Sequence, residues 1–146
     1  MAVQRDRPYG NYNFLVDLGD GARAGFSEVL LPEISIDVLE YREGGLNESG
    51  AHKFPGRAHY SNVILKRGVA GALNLYQWIN DVCNGNVRAA RTVTIQLQTE
   101  DRTDIVWTWR LLRAWPVKYR FTNLEAKGKD VLIEILELAV ERVEVE

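Results

Sequence analysis

The side chains that could do chemistry are few and scattered. His52 and His59, the only histidines, stand seven residues apart and flank Pro55-Gly56. A metal site needs three or four ligands, and the stretch between them holds no carboxylate or thiol, so no metal is expected. Cys83, the single cysteine, falls on the apolar stripe of an expected helix. A buried thiol there acts as a small hydrophobe, whereas a nucleophilic one needs an exposed, electropositive setting. Asp101 and Asp104 read as solvated residues of a turn after Thr99 rather than a cation site. Gly19-Asp20-Gly21 has no helix behind it and is no dinucleotide loop. A hydrolase is disfavoured, and no catalytic residue, cofactor or enzyme activity is expected.

Composition narrows the classes further. The chain has 146 residues, of which 46% are hydrophobic and 26% charged, enough for one globular domain with a real core. Its 18 basic and 20 acidic residues leave a net charge of −2, too balanced to draw nucleic acid or anionic membrane over the whole surface. One cysteine excludes an intrachain disulfide and fits a reducing compartment. The first eight residues, Met1 to Pro8, lack the apolar stretch of a secretion signal and read as a flexible segment. No run approaches the roughly 18 apolar residues of a membrane helix. Synthesis in the cytoplasm, without stable membrane insertion, is the expectation.

The positioning elements are mostly strands. Phe14, Val16 and Leu18 alternate onto one face, and Gly19-Asp20-Gly21 supplies a hairpin turn before a return strand from about Ala22 to Ser27. Ile34, Ile36 and Val38 share one parity, while Leu39 and Tyr41 take the other, which marks a bulge or a change of the surface covered. From Glu43 to Ala58 a long loop with four glycines and one proline is expected, followed by a strand from about His59 to Arg67. A helix over 71–85 would bury Ala72, Leu75, Ile79, Val82 and Cys83, with Gly85 ending it. Val93, Ile95 and Leu97 alternate with Thr94, Gln96 and Gln98. Ile105, Trp107, Trp109 and Leu111 share the face of a further strand, and the Trp pair is expected to pack on Leu75 and Ile79. The fold class is mainly β with one α-helix, as a barrel or two-sheet sandwich with a long inter-strand loop.

Two surfaces stand out beside that loop. Lys53, Arg57, Lys66 and Arg67 are basic, and Glu134, Glu137, Glu141, Glu144 and Glu146 near the other end are acidic, a pattern suited to head-to-tail contact between copies. The polar strand face of Thr94, Gln96 and Gln98 suits water on its outer side, including the water of a lumen. An elaborate loop between two strands, with no chemistry to serve, points to assembly.

A family resemblance rests on motifs met in one order. Asn11-Tyr12-Asn13-Phe14, Gly25-Phe26-Ser27-Glu28-Val29, Tyr41-Arg42-Glu43-Gly44-Gly45, Lys53-Phe54-Pro55-Gly56-Arg57, Leu65-Lys66-Arg67-Gly68-Val69, Ala114-Trp115-Pro116-Val117-Lys118 and Glu134-Ile135-Leu136-Glu137-Leu138-Ala139 resemble the inner tail-tube proteins of contractile phages and phage-tail-like injection systems. The resemblance covers about Tyr9 to Val140. It implies a single tail-tube domain whose copies form hexameric rings, stacked into a hollow tube within a sheath. It further implies baseplate or spike partners, a terminator or cap, DNA or protein cargo in the lumen, and a mature place in a virion tail or injection particle. On this reading Tyr41, Arg42, Glu43, Gly44, Gly45, Lys53, Phe54, Pro55, Gly56 and Arg57 contact other subunits. Thr94, Gln96 and Gln98 face lumen or sheath, and Glu134, Glu137, Glu141 and Glu144 form an acidic partner surface. A tube-initiating baseplate paralogue is the nearest alternative; a monomeric small-molecule-binding barrel, with Trp107 and Trp109 lining its pocket, is a remote one.

Overall fold

The computed structural model describes residues 2–21, 23–42, 44, 50–86 and 88–146. Along the chain run β1 (Phe14–Asp17), β2 (Arg23–Ala24), β3 (Glu28–Leu30), β4 (Ile34–Tyr41), β5 (His52–Tyr60), β6 (Val63–Gly68), α1 (Asn74–Cys83), β7 (Arg91–Gln98), β8 (Ile105–Phe121), β9 (Ile133–Ala139) and β10 (Arg142–Val145). The mainly β class with one helix is as expected. An eight-stranded sheet carries the order β2-β1-β7-β8-β9-β6-β3, with β10 also on β8, and β4 and β5 form a separate two-stranded ribbon. The ends of that order, β2 and β3, are not paired with each other, so the sheet is folded over but not closed into a barrel.

The fold in the sheet lies on β8, which runs for 17 residues. Its first part pairs with β7 and β10, and its second part, from Trp115, pairs with β9. Two register shifts mark the changeover, one opposite Arg91 and Val93 and one between Pro116 and Lys118. Arg113, between them, has a φ of 52°. An extra residue in one strand bends it and raises its twist, and Pro116 is tolerated beside such a bulge because the ladder is already interrupted. The two halves thereby close over one core of Val16, Val63, Leu65, Val93, Ile95, Leu111, Leu136 and Leu138. Burial of each such side chain contributes roughly 1.5–3 kcal/mol.

Several expectations need correction. The return strand after the Gly19-Asp20-Gly21 turn is only β2, because the chain then crosses to the other half, where the Ser27 amide donates to the Lys66 carbonyl at 2.8 Å. The turn itself uses both glycines with positive φ, 85° at Gly19 and 80° at Gly21. The helix begins three residues later than expected, and its buried positions are Leu75 and Trp78. Trp78 takes the core side and donates its indole N–H to the Ala89 carbonyl at 2.6 Å, which rotates the stripe. Cys83 is therefore exposed, and Ala72 lies outside the helix. Gly85 does end α1 in the left-handed region, with a φ of 78°. Trp109 is partly buried against the core, while Trp107 is 37% exposed and lines an open cleft with residues of the N-terminal segment. That segment, expected to be flexible, is tied down. The Val3 amide donates to the Val106 carbonyl at 2.9 Å, and Arg5 donates to both oxygens of Glu100 at 2.5 and 3.0 Å.

Candidate assembly interface

The ribbon of β4 and β5 is where the sequence and the fold disagree most. Residues 52–58, expected within a long loop, belong to a nine-residue strand in register with β4, from Ile34 opposite Tyr60 to Tyr41 opposite His52. Gly50, Pro55 and Gly56 read as loop punctuation, yet a two-stranded ribbon has only edge strands, where a missing proline N–H is tolerated. The ribbon is fixed at its foot, where Glu33 and Ser61 exchange two hydrogen bonds of 2.7 and 3.0 Å. Beyond that foot its strands pair, among the described residues, only with each other. We call it the arm.

Its apolar side chains are uncovered. Ile34, Ile36, Val38, Leu39, Tyr41 and Phe54 are each 51–61% exposed. An isolated hairpin is marginal in water, and this one carries β-branched and aromatic residues on both sides. The register gives each face a different content. One face holds Ile34, Tyr60, Ile36, Ala58, Val38 and Pro55, then the charged pair Glu40 and Lys53 at the tip. The other begins polar, with Ser35 and a hydrogen-bonded Asp37 and His59 at 2.9 Å, and becomes apolar at the tip with Leu39, Phe54 and Tyr41. The register shift between Ile36 and Val38 falls at the changeover. Gly56 sits there in a tight place, where a Cβ would lie 3.1 Å from Cβ of Asp37 and 3.2 Å from Cγ of Leu39 and would press both aside by a few tenths of an ångström.

Most of the expected contact residues are brought together by this arm. Tyr41, Lys53, Phe54, Pro55, Gly56 and Arg57 lie on its paired strands, Arg42 directly follows β4, and Gly44 lies in a turn. Glu43 and Gly45 lie outside the described residues. Ile34, Ile36, Val38 and Leu39 were not singled out as contact residues. The change of parity at Val38 and Leu39 was the signal that could have found them. His52 and His59 are both on the arm, and no cluster of three or more metal-ligating side chains occurs among the described residues.

The other expected surfaces fare unequally. Thr94, Gln96 and Gln98 are half-buried on the face of β7 turned away from the core. Thr94 and Gln96 lie beside Asp17 and Leu15 of β1 and Arg110 and Thr108 of β8. The acidic surface needs correction at Glu134, which is 3% exposed. It is held by Arg67, which also donates to Oδ1 of Asn74 at 2.6 Å and to the Ala72 carbonyl at 3.3 Å. The Tyr119 hydroxyl donates to the other Glu134 oxygen at 2.5 Å; burial and then this carboxylate push the phenol up to about 12. Arg67 and Glu134 are thus an internal pair, placed by the 67–134 register of β6 and β9. Glu141 pairs with Arg113 at 3.1 Å, Glu144 with Arg142 at 3.5 Å and Glu146 with Arg110 at 2.5 Å, while Glu137 accepts from Asn62 at 3.0 Å. Glu141, Glu144 and Glu146 thus balance cations of their own chain, while Glu137 is met by a neutral amide.

Comparison with known proteins adds an independent line. Residues 10–144 match the family model described as the T4-like virus tail tube protein gp19. A chain of the sheath–tube complex of an extracellular contractile injection system, PVC, in its extended state is 30% identical at a TM-score of 0.85, over 95% of this chain and 91% of that one. A chain of the six-fold symmetrised baseplate of the anti-feeding prophage is 26% identical at a TM-score of 0.85, over 97% of each. Hcp1 from Flavobacterium johnsoniae, 13% identical at a TM-score of 0.56 over 92% of this chain and 94% of that one, shares the fold alone. No curated protein sequence matches.

Proposed function

The chain belongs to the T4-like virus tail tube protein family, and from that premise we propose that its copies close into hexameric rings that stack as the hollow inner tube of a contractile injection particle. The arm is the observation that carries this reading. Its apolar faces are left open by its own chain, and its strands present free edges that invite pairing with another sheet. Ring closure covers both. The role is structural rather than catalytic, with the whole chain acting as one tube domain. A sheath surrounds the tube, a baseplate with a spike starts it, and a cap ends it. These partners suit the sheath–tube, baseplate and cap complexes in which similar chains occur.

The polar outer face of β7, with Thr94, Gln96 and Gln98, suits contact with water, as the lumen of a tube carrying DNA or protein requires, and equally suits the sheath. No helix among the described residues is long and apolar enough to cross a membrane. The likeness to a baseplate chain favours one second reading, an initiator that forms a single ring. Negative-stain microscopy with sedimentation separates the outcomes. Stacked tubes support the main reading, single six-fold rings the second, and a monomer at high concentration with baseplate and sheath proteins present contradicts both.

A further inference from the structure

Asn84-Gly85 is the one Asn-Gly step in the sequence, and it stands at the exposed C-terminal end of α1. An asparagine followed by glycine can cyclise, because glycine has no side chain to hinder attack by its own backbone nitrogen. The Gly85 nitrogen bonds to Cγ of Asn84, the Cγ–Nδ2 bond breaks, and Nδ2 leaves as ammonia with the proton given up by the Gly85 amide. Water then opens the resulting succinimide. Opening at Cγ leaves aspartate, and opening at the main-chain carbonyl leaves isoaspartate, whose backbone runs through Cβ. Water is the only co-reactant. We infer that Asn84 is a site of this spontaneous modification and that the cap of α1 is the gate that holds it back.

Two features of the cap close the gate. The ring forms only when the Gly85 nitrogen and Cβ of Asn84 are nearly eclipsed about the Cα–C bond, and Asn84 sits far from that, with a φ of −86° and a ψ of 8°. The reacting atoms are thus held out of a near-attack arrangement. The second feature is the hydrogen bond that the Gly85 amide donates to the Val82 carbonyl at 3.0 Å, which keeps on the nitrogen the proton it must lose. Its neighbours share the restraint: Asn84 donates to the Asn80 carbonyl at 3.0 Å and Asn86 to the Asp81 carbonyl at 3.1 Å. Further on, the Ala89 amide donates to the Asn86 carbonyl at 3.2 Å, and the Ala89 carbonyl accepts the Trp78 indole N–H, so buried Trp78 anchors the far end of the turn. Fraying of the last helical turn frees ψ and the amide together. The products do not fit the cap again. Isoaspartate adds one atom to the main chain, and either product sets a carboxylate at the end of a helix with no basic residue in its last turn, where the dipole disfavours an anion.

The native chain is incubated at mildly alkaline pH, folded in buffer and unfolded in urea. The peptide holding residue 84 is followed by mass spectrometry for the gain of one mass unit, and isoaspartate is read by enzymatic methyl transfer from S-adenosylmethionine. Conversion of Asn84 at least tenfold faster in the unfolded chain is expected, ahead of every other asparagine. Equal rates in the two samples overturn the gate, and an unfolded chain in which Asn84 is not converted overturns the site. Asn84→Gln should erase the signal from this peptide, and a signal that persists there overturns the assignment. Trp78→Phe keeps an aromatic ring in the core but loses the indole donor. Its folded form should convert several times faster than the folded native chain, and an unchanged rate overturns the anchoring of the gate by Trp78.

Discussion

The pair β6–β9 and the pair β4–β5 are built by the same local rules and meet opposite fates. Both are antiparallel, and both carry alternating apolar side chains in register. In the first, Val63, Leu65, Leu136 and Leu138 are fully buried. In the second, Ile34, Ile36 and Val38 stand in solvent. Alternation alone says that a strand has an apolar face; it does not say which molecule covers that face. The body covers its own. The arm waits for another copy.

That contrast can be broken most sharply in the body. Arg67→Met leaves Glu134 buried without its cation, and the expected loss is about 3–5 kcal/mol of folding stability, read by urea denaturation. Leu65→Ala at a fully buried site should lose about 2–5 kcal/mol in the same measurement. If either loses less than about 1 kcal/mol, the core assignment is wrong for that residue. On the arm the same class of change should leave the monomer alone. Ile36→Ser with Val38→Ser is expected to shift monomer stability by less than about 0.5 kcal/mol per site while abolishing tubes in sedimentation and microscopy. Gly56→Ala sharpens the point at the bulge: the tight contacts with Asp37 and Leu39 should displace one tip face from the other and lower the yield of tubes without unfolding the body.

The smallest effect expected concerns the N-terminal segment. The hydrogen bonds from Arg5 hold the Glu100 carboxyl below its usual range, at about 2 rather than 4.5. A carboxyl whose folded pKa is depressed supports the folded contact above the unfolded value and loses it as pH falls through the folded one. The segment should therefore loosen between about pH 4.5 and 2, read as a change in the fluorescence of Trp107, which lines the same open cleft. Arg5→Ala should show the loosened signal already at pH 7, with no further step in that window; a step that persists would contradict the assignment.

Much of the body was legible from alternation and turn chemistry. The β7 pattern of Val93 and Ile95 against Thr94 and Gln96, the two positive-φ glycines of the first turn, and the Gly85 helix end all follow from local rules. What local rules missed depends on long-range partners. Trp78 lies on the stripe itself, three residues after Leu75 and four before Val82, while the partner that satisfies its indole N–H, the Ala89 carbonyl, is visible only in the fold. Arg67 and Glu134 looked like surface charges because nothing local shows that β6 and β9 set them side by side. Residues 52–58 looked like loop because Gly50, Pro55 and Gly56 outweighed the pairing with Val38 to Tyr41. The long continuation of β8 past Leu111 depends on bulges that only its two sets of partners explain. For the interface, the segments were visible in the sequence, while the division of the arm into two apolar faces required the register.

The most direct test places the native chain beside the Ile36→Ser, Val38→Ser variant, with circular dichroism and denaturation to confirm matched folding and negative-stain microscopy to read assembly. The account predicts hollow tubes from the native chain and folded, unassembled subunits from the variant. Tubes of normal length and number from both would contradict it.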